Sequence, residues 1–578
     1  MSAQPALRIV RRQSAHCASL DDTVHPVLRR VYEARGIVTH SQLSLRLQQL
    51  LPVGTLDSVE AAAALLQDHG QRGGGILVVG DFDADGATST ALIVRAMRAW
   101  GFRNVDFLVP NRFQFGYGLT PGIVALAAQR HPSLIVTVDN GISSHAGVAA
   151  ARAAGIEVLI TDHHLPGHGL PDANVIVNPN LPGSRFASRA LAGVGVAFYV
   201  MVALQRRLAA DGVLPADALP SADLLDLVAL GTVADVVPFD DNNRILVAQG
   251  LARIRAGRCV PGISALLEVA QRERSALVAA DLGFAIAPRL NAAGRLTDMS
   301  IGIRCLLSDS LPEARVLAQE LDQLNSERRS IEARMQSEAG SAVRMLRDPG
   351  SGVRRSGVCL FDPGWHQGVV GLVASRLKER LRRPVVAFAP AEDGTLRGSA
   401  RSVPGIHIRD VLDAIAARDV NLIDKFGGHA MAAGLTLKPV ALDAFARAFD
   451  AECERLLELH GSPDVIETDG ELGEHELGLP TAQALRSGGP WGPGFPEPLF
   501  DGIFRIQSAR VVGERHLKIR LEAPEGRGQF DAIAFNYVDA QSPVELPGGV
   551  RRLVYRLDSN HYLGEARLQF LVDHLLQA

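Results

Sequence analysis

Cysteine is scarce in this chain of 578 residues: there are five, at positions 17, 259, 305, 359 and 453, odd in number, far apart and without a CxxC pair. That argues against a zinc site and against a disulfide framework, and it leads us to expect a cytoplasmic protein. Long apolar runs are also missing. The longest uncharged one, Ala190 to Leu204, is shorter than the roughly 20 residues a membrane helix needs, and it reads as a buried helix. The opening MSAQPALRIVRRQ has no apolar core and no small-residue cleavage site, so it does not read as a signal peptide and no membrane partner is expected. Lysine is nearly absent, only Lys378, Lys425, Lys438 and Lys518 standing among 59 basic residues. Arginine is the better phosphate ligand, but a codon bias explains the imbalance as well, so it carries no functional weight alone. The formal net charge of −4 neither demands nor excludes nucleic acid, because an acidic metal cluster can hide a basic groove in the total.

What is present is acid in unusual places. VVGDFDADG (78 to 86) sets Asp81, Asp83 and Asp85 at alternate positions directly after an aliphatic run. Crowded like charges are costly unless a metal or a basic partner neutralises them, and oxygen ligands suit magnesium or manganese. IVTVDNGIS (135 to 143), ITDHH (160 to 164) and GTVADVV (231 to 237) repeat the pattern of Asp or Asp/His closing an apolar segment, which we take to be strand ends. A calcium loop starting at Asp81 fails, since Leu92 stands where position twelve needs a glutamate.

The length calls for two to four domains. Between Ile76 and about Pro179, the runs ILVVG, VDFLVP, LIVTVD, EVLITD and VIVNP read as strands joined by helical stretches. Wholly apolar strands with helical crossovers predict a parallel sheet covered on both faces, with ligands beyond the carboxyl ends of its strands. From Ser310 a long helix of about nine turns or fewer is expected, with a capping box of Ser310 and Glu313 and an apolar series Leu317, Leu321, Leu324, Ile331, Met335 and Val343. RDPGSGVRRSG (347 to 357) marks entry to a second α/β unit, in which GVCLF and PVVAF flank an amphipathic helix. After WGPGFPEPLF (491 to 500), whose glycines and prolines forbid regular structure, five strand-like runs suit a small barrel of oligonucleotide-binding (OB) type. The expected division is an unassigned N-terminal cap (1–50), a catalytic domain (51–305), a connecting helix (306–346), a second α/β domain (347–460) and the barrel domain (461–578).

The ordered series VVGDFDADG, NRFQFGYGL, VTVDNGIS, TDHH, GTVADVVP, PRLNAAGRL, RGSARS and KFGGHAMAAG resembles the DHH phosphoesterase superfamily, and within it the bacterial single-strand-specific exonucleases. On its own terms, phosphodiester hydrolysis needs a water made nucleophilic at neutral pH and stabilisation of the attacking and leaving oxygens. Two divalent ions about 3.5 to 4 Å apart, bridged by a carboxylate, supply both. Asp81, Asp83, Asp85, Asp139 and Asp235 offer the carboxylates, and the imidazole of His163 shifts preference toward manganese. The resemblance implies Asp139 as the bridge and Asp83, Asp85, His163 and Asp235 as ligands. Asp81 would join them on one side only if its backbone stays extended. Asp162 is assigned the role of accepting a ring proton from the neighbouring histidines, and His164 that of touching the scissile phosphate or acting as an acid.

For the substrate, PRLNAAGRL is expected to place Arg289 and Arg295 around a glycine-containing loop, and RGSARS to place Arg397 and Arg401 around Ser399. The resemblance makes Arg112, Ser399 and Arg401 candidates for the 5′-terminal phosphate, and Arg289, Asn291 and Arg295 for the region of the scissile bond. His429, in the glycine-rich GGHAMAAG, lies in a stretch that faces substrate in the DHH-associated domain of that superfamily. Tyr117 is a candidate to stack on a base, or equally a core tyrosine. The function so implied is 5′-to-3′ digestion of single-stranded DNA to 5′-mononucleotides with manganese or magnesium, in recombination and repair. Single-strand-binding protein is the implied partner, and a monomer is expected. A phosphatase of small substrates (pyrophosphate, short oligonucleotides or cyclic dinucleotides) would use the same metals, but the length and the barrel speak against it. A silent DNA-binding scaffold should have lost acids that are all present here.

Overall fold

In the computed structural model, the residues described are 8–13, 20, 23–167, 169–346, 355–460, 465–513, 515–523, 526, 528–538, 546–562 and 565–577. The chain divides into two compact units. One comprises Met1–Arg8, Arg295–Thr297 and Asp322–Ile466, and the other Ile9–Gly294, Asp298–Leu321 and Glu467–Ala578.

The larger unit is built on a five-stranded parallel sheet in the order Val105–Leu108, Ile76–Gly80, Leu134–Val138, Glu157–Thr161, Val175–Val177. Every residue of Ile76–Gly80 and Leu134–Val138 is buried, as expected of strands covered on both faces. Chain direction across the sheet reverses between these two strands, so their carboxyl ends flank the crevice where open α/β sheets bind ligands. The helix Gly193–Ala210 passes a length and hydropathy test for a membrane span, yet Val194, Val196, Ala197, Tyr199, Val200, Met201 and Leu204 are buried in the protein. It is the buried helix expected from Ala190 to Leu204.

One expected strand end is a helix end. The first four residues of GTVADVV end the largely buried helix Leu225–Ala234, and Asp235 is its C-cap. An apolar run of this length fits a buried helix as well as a strand, so periodicity could not separate them.

Within the unassigned cap of residues 1–50, the described part from residue 23 forms the helix Pro26–Glu33 and two short 3₁₀ turns, with a third just beyond it at Val53–Thr55. They tie the stretch before the barrel to the body of the unit. Tyr32 Oη donates to the Gly488 carbonyl at 2.7 Å, and Arg35 makes a two-pronged pair with Asp469 at 2.7 and 3.0 Å. The guanidinium of Arg244, a residue 1% exposed, sits 4.0 Å from the ring centre of Phe495, which stacks on Trp491. WGPGFPEPLF is otherwise irregular, as expected, with one isolated bridge between Gly492 and Phe495. Beyond it, five strands close into a barrel, with Phe500–Val512 pairing both its sequence neighbour His516–Glu522 and Gly549–Tyr562. Closure leaves no free edge, and Phe504, Tyr555 and Phe570 pack their rings inside.

In the other unit a five-stranded mixed sheet runs Lys425–Gly428, Ala432–Leu437, Leu396–Arg401, Val385–Pro390, Val358–Phe361. The helix Leu311–Leu346, which belongs to the larger unit up to Leu321 and to this one from Asp322, has 36 residues, ten turns rather than nine or fewer, because its period continues without a breaker to Leu346. Its capping box is half formed. Ser310 Oγ accepts from Glu313 N at 3.5 Å, but the Glu313 carboxylate accepts from Ser308 Oγ at 2.7 Å instead of reaching back to the cap. Midway, its buried face turns polar at Asn325, Arg328 and Glu332. Most of the loop expected at 347 to 357 lies outside the described residues.

Candidate metal centre

The strand Ile76–Gly80 delivers Asp81, and the backbone then turns into the helix Ala84–Ala99. Asp83 is its N-cap, accepting from Gly86 N at 3.0 Å, and Asp85 falls in the first turn. The extended course that would have put all three acids on one side is therefore absent. The turn produces two groups instead. One ligand atom each from Asp81, Asp83 and Asp139 lie within 4.8 Å of one another, and so do one each from Asp85, His163 and Asp235.

Asp139 and His163 join the two groups. His163 Nε2 is 3.1 Å from Asp139 Oδ1 and 3.4 Å from Asp235 Oδ2. All three atoms are buried, and none has a hydrogen-bond partner among the described residues. Buried polar atoms are nearly always satisfied, so three that converge unsatisfied fit a site meant for cations. Burial and then the charge of His164 push the His163 pKa down to about 4, which keeps its ring neutral with a lone pair to offer. A hydrogen bond to the Leu191 backbone helps fix the ring.

The acids are strained electrostatically. Burial, and next the neighbouring Asp83, push Asp85 up to about 7, although Gly193 N and Val194 N donate to its two oxygens at 2.6 and 3.0 Å. Burial and mutual repulsion hold Asp139 and Asp235 well above the ordinary carboxylate range. Without cations this cluster would keep protons at neutral pH. Its carboxylates and single imidazole are the donor set for hard divalent ions such as magnesium or manganese.

Asp162 accepts from four donors: Ile142 N at 2.9 Å through one oxygen, and His163 N, His164 N and His164 Nδ1 at 2.7, 3.0 and 2.8 Å through the other. The ring it orients is His164, not His163. Burial alone would raise Asp162, but the hydrogen bond and charge of His164 prevail and lower it. Burial likewise opposes charge on His164, yet Asp162, Asp81 and Asp83 push its pKa up to about 9. Tyr117 stands over this ring, 5.9 Å between centroids, with Oη donating to the Asp139 carbonyl at 3.1 Å. At 51% exposure it is a rim residue, not a core one.

Several positioning residues escaped sequence reasoning. Asn140 donates to the Val79 and Val138 carbonyls at 3.2 and 2.8 Å, binding together the two strand ends that carry acids. At Gly193 a Cβ would stand 2.7 Å from Asp139 Cβ, and at Gly231 one would stand 2.8 Å from Asp85 Oδ1, so only glycine lets these helices approach. The "AGVG" around Gly193 was a visible signal, but nothing local says what it faces.

PRLNAAGRL is not a loop. It lies on the helix Ala287–Leu296, and its Gly294 serves close packing, because a Cβ there would be 1.8 Å from the Phe82 carbonyl oxygen. Asn291 Oδ1 accepts from Ala84 N at 2.8 Å, pinning the acidic loop, while Arg289 is buried with Nη1 donating to the Ala285 carbonyl at 2.5 Å. Arg295 donates to the Gly368 carbonyl at 3.3 Å.

RGSARS is on the strand Leu396–Arg401, where alternation sends Leu396, Gly398 and Ala400 inward and Arg397, Ser399 and Arg401 to the other face. Arg401 donates to Ser399 Oγ at 2.9 Å and Ser375 Oγ at 3.1 Å. Arg397 is turned to Asp393 and Thr436, at 2.9 and 2.8 Å. His429 is exposed at the hairpin between Lys425–Gly428 and Ala432–Leu437. In GGHAMAAG only Gly428 is a close-approach glycine; a Cβ on Gly427 or Gly434 would meet nothing within 4 Å. Arg112 begins the short helix Arg112–Phe115, and its side chain is outside the described residues.

A parallel sheet carrying an acid and histidine cluster at its switch point, in a chain with a second α/β unit, defines a metal-dependent phosphoesterase class. Family comparison agrees: residues 75–232 match the DHH family N-terminal domain, 355–455 the DHHA1 domain and 468–574 the RecJ OB domain. The chain is 52% identical over 574 residues to the single-stranded-DNA-specific exonuclease RecJ of Escherichia coli (strain K12), covering 98% of this chain and 99% of that one. With the Salmonella typhimurium (strain LT2) protein of the same name it shares 51% identity over the full length of both. Its fold matches the crystal structure of Thermus thermophilus RecJ in complex with Mn²⁺ at a TM-score of 0.79 and 32% identity, over 99% of this chain and 80% of that one. The chain belongs to the RecJ family of exonucleases.

Proposed function

We propose that this protein is an exonuclease specific for single-stranded DNA that removes 5′-mononucleotides from the 5′ end with two divalent ions. The observation that carries the metal assignment is the meeting of Asp139 Oδ1, His163 Nε2 and Asp235 Oδ2, buried and unsatisfied, at 3.1 and 3.4 Å. Asp81 and Asp83 would hold one ion, Asp85, His163 and Asp235 the other, and Asp139 would serve both. When bound, such ions supply Lewis acidity toward phosphoryl oxygens and lower the pKa of water.

The chain's own residues do the rest. Protonated His164, held by Asp162, is partly exposed beside the cluster and is placed to donate to a phosphate or leaving oxygen. Asn291 and Asn140 hold the backbone that carries the acids, and Asn291 is also assigned to the region of the scissile bond. Ser399 and Arg401 offer a hydroxyl and a guanidinium already hydrogen-bonded together, a fit for a terminal phosphate, with Arg112 as the further candidate. Arg289, Arg295, Arg397 and His429 are assigned to the DNA path, and the Tyr117 ring to stacking on a base. Work in recombination and repair in the cytoplasm, as a monomer supplied with substrate by single-strand-binding protein, completes the proposal.

The test is Asp139→Ala, assayed with manganese on long 5′-labelled single strands for both cleavage and binding. Binding kept with cleavage lost is the expected result, and retained cleavage would end the two-ion proposal.

A further inference from the structure

We propose that Phe284 is a stacking platform for a nucleobase of the bound single strand, held beside the metal centre by a turn of π-helix; this deepens the nuclease reading and rests on it. Phe284 is 82% exposed, in a segment whose neighbours Leu282, Ala285 and Ile286 are buried. It sits in the π-helical turn Leu282–Ile286 that leads into Ala287–Leu296. Such turns are rare and often mark functional sites, since the extra residue re-aims a side chain.

The turn is anchored to the metal centre on two sides. Gly283 packs on the helix that ends at Asp235, where a Cβ would stand 3.2 Å from Val233 Cγ1. Downstream, positions 284, 288 and 291 recur at helical spacing, and each is less buried than its flanking neighbours. The last of them, Asn291, holds Ala84 N beside the N-cap Asp83. Phe284 therefore lies on the face of this helix that leads to the acidic loop, roughly 10 Å along the axis from Asn291. Val236, next after Asp235, is 66% exposed with φ 60°, a second exposed apolar side chain adjoining the acids in sequence.

An aromatic ring exposed to water beside a phosphodiester-binding centre matches the π-face of a base, which any nucleotide presents, so no sequence preference is implied. A protein partner docking on the same ring would not make it respond to DNA.

The test places Phe284→Ala and Phe284→Trp in the Asp139→Ala background for binding to an oligo(dT) strand, and in the native background for kinetics. Phe284→Ala should raise Kd and KM about tenfold, with kcat within about twofold. Phe284→Trp should bind like its parent, and its added emission should be quenched by the oligonucleotide. Both variants should melt with the parent, the position being exposed. Unchanged Kd for Phe284→Ala, or Trp emission indifferent to DNA, overturns the proposal. Failure of the parent itself to bind single strands would instead overturn the nuclease reading beneath it.

Discussion

A histidine stands at each of the two rims of the DHH sheet, His69 buried and His163 partly buried with its Nε2 enclosed, and their surroundings differ in one respect. At the amino-terminal rim, His69 has both ring nitrogens occupied, Nδ1 by Ser133 Oγ at 2.8 Å and Nε2 by Glu157 Oε2 at 2.6 Å. At the carboxyl rim, His163 Nε2 faces two carboxylate oxygens and makes no hydrogen bond among the described residues. Low exposure and acidic neighbours are common to both, so neither criterion identifies a ligand. Saturation separates them: His69 completes a structural tie from the helix Val59–Gln71 to the sheet, while His163 Nε2 has no hydrogen-bond partner among the described residues, in keeping with the ligand role proposed for it.

Exchanging the two histidines for alanine should break this comparison most sharply. His163→Ala should cut DNA cleavage about 10³-fold or more, while metal-free thermal stability stays near that of the parent. His69→Ala should do the reverse, costing about 1–3 kcal/mol of unfolding free energy by leaving Glu157 and Ser133 without their partner. Its folded fraction should cleave at the native rate. A His69→Ala enzyme that melts normally but has lost activity would undo the distinction.

Gly193→Ala should follow, because the added methyl collides with Asp139 Cβ at 2.7 Å. A loss of about 10–100-fold in manganese affinity and activity is expected, measured by metal titration of the activity. An unaltered titration would show that the helix start can yield.

The mildest effect is on pH dependence of the metal-free protein. Asp85, raised to about 7, binds a proton in the folded state that it releases in the unfolded chain above its ordinary range. Folding therefore holds the extra proton, and stability falls as pH rises from about 4 through 7. His164, raised to about 9, adds stability that is complete below its ordinary value near 6.5 and is lost as pH climbs through 9. His163, lowered to about 4, works the other way, costing stability as pH falls from about 6.5 toward 4. The metal-free Tm should decline from pH 7 to 9, and manganese should raise Tm more at pH 8 than at pH 6, where protons compete for the same oxygens. A manganese-induced shift that is larger at pH 6 would contradict this.

How much could be read beforehand follows from how local each cause is. Ile76–Gly80 and Leu134–Val138 declared themselves because a strand covered on both faces must be aliphatic throughout, and Asp81 and Asp139 declared themselves because charge directly after such a run needs a reason. Asp235 was found as an acid but placed on a strand, since a helix buried from Leu225 to Thr232 shows no polar face. PRLNAAGRL looked like a loop because its proline and glycine are turn residues, whereas Gly294 answers to the carbonyl of Phe82, far away in sequence.

Read alone, the chain of residues determined the strands, the barrel runs and the identity of the acids, because these follow from side-chain chemistry repeated over a few positions. Only the tertiary structure decided which oxygens face which, that Asp162 serves His164, and that two histidines with acidic neighbours differ in whether a nitrogen is left unused. Those outcomes depend on approach distances between segments far apart in the chain, and no local pattern encodes an approach distance.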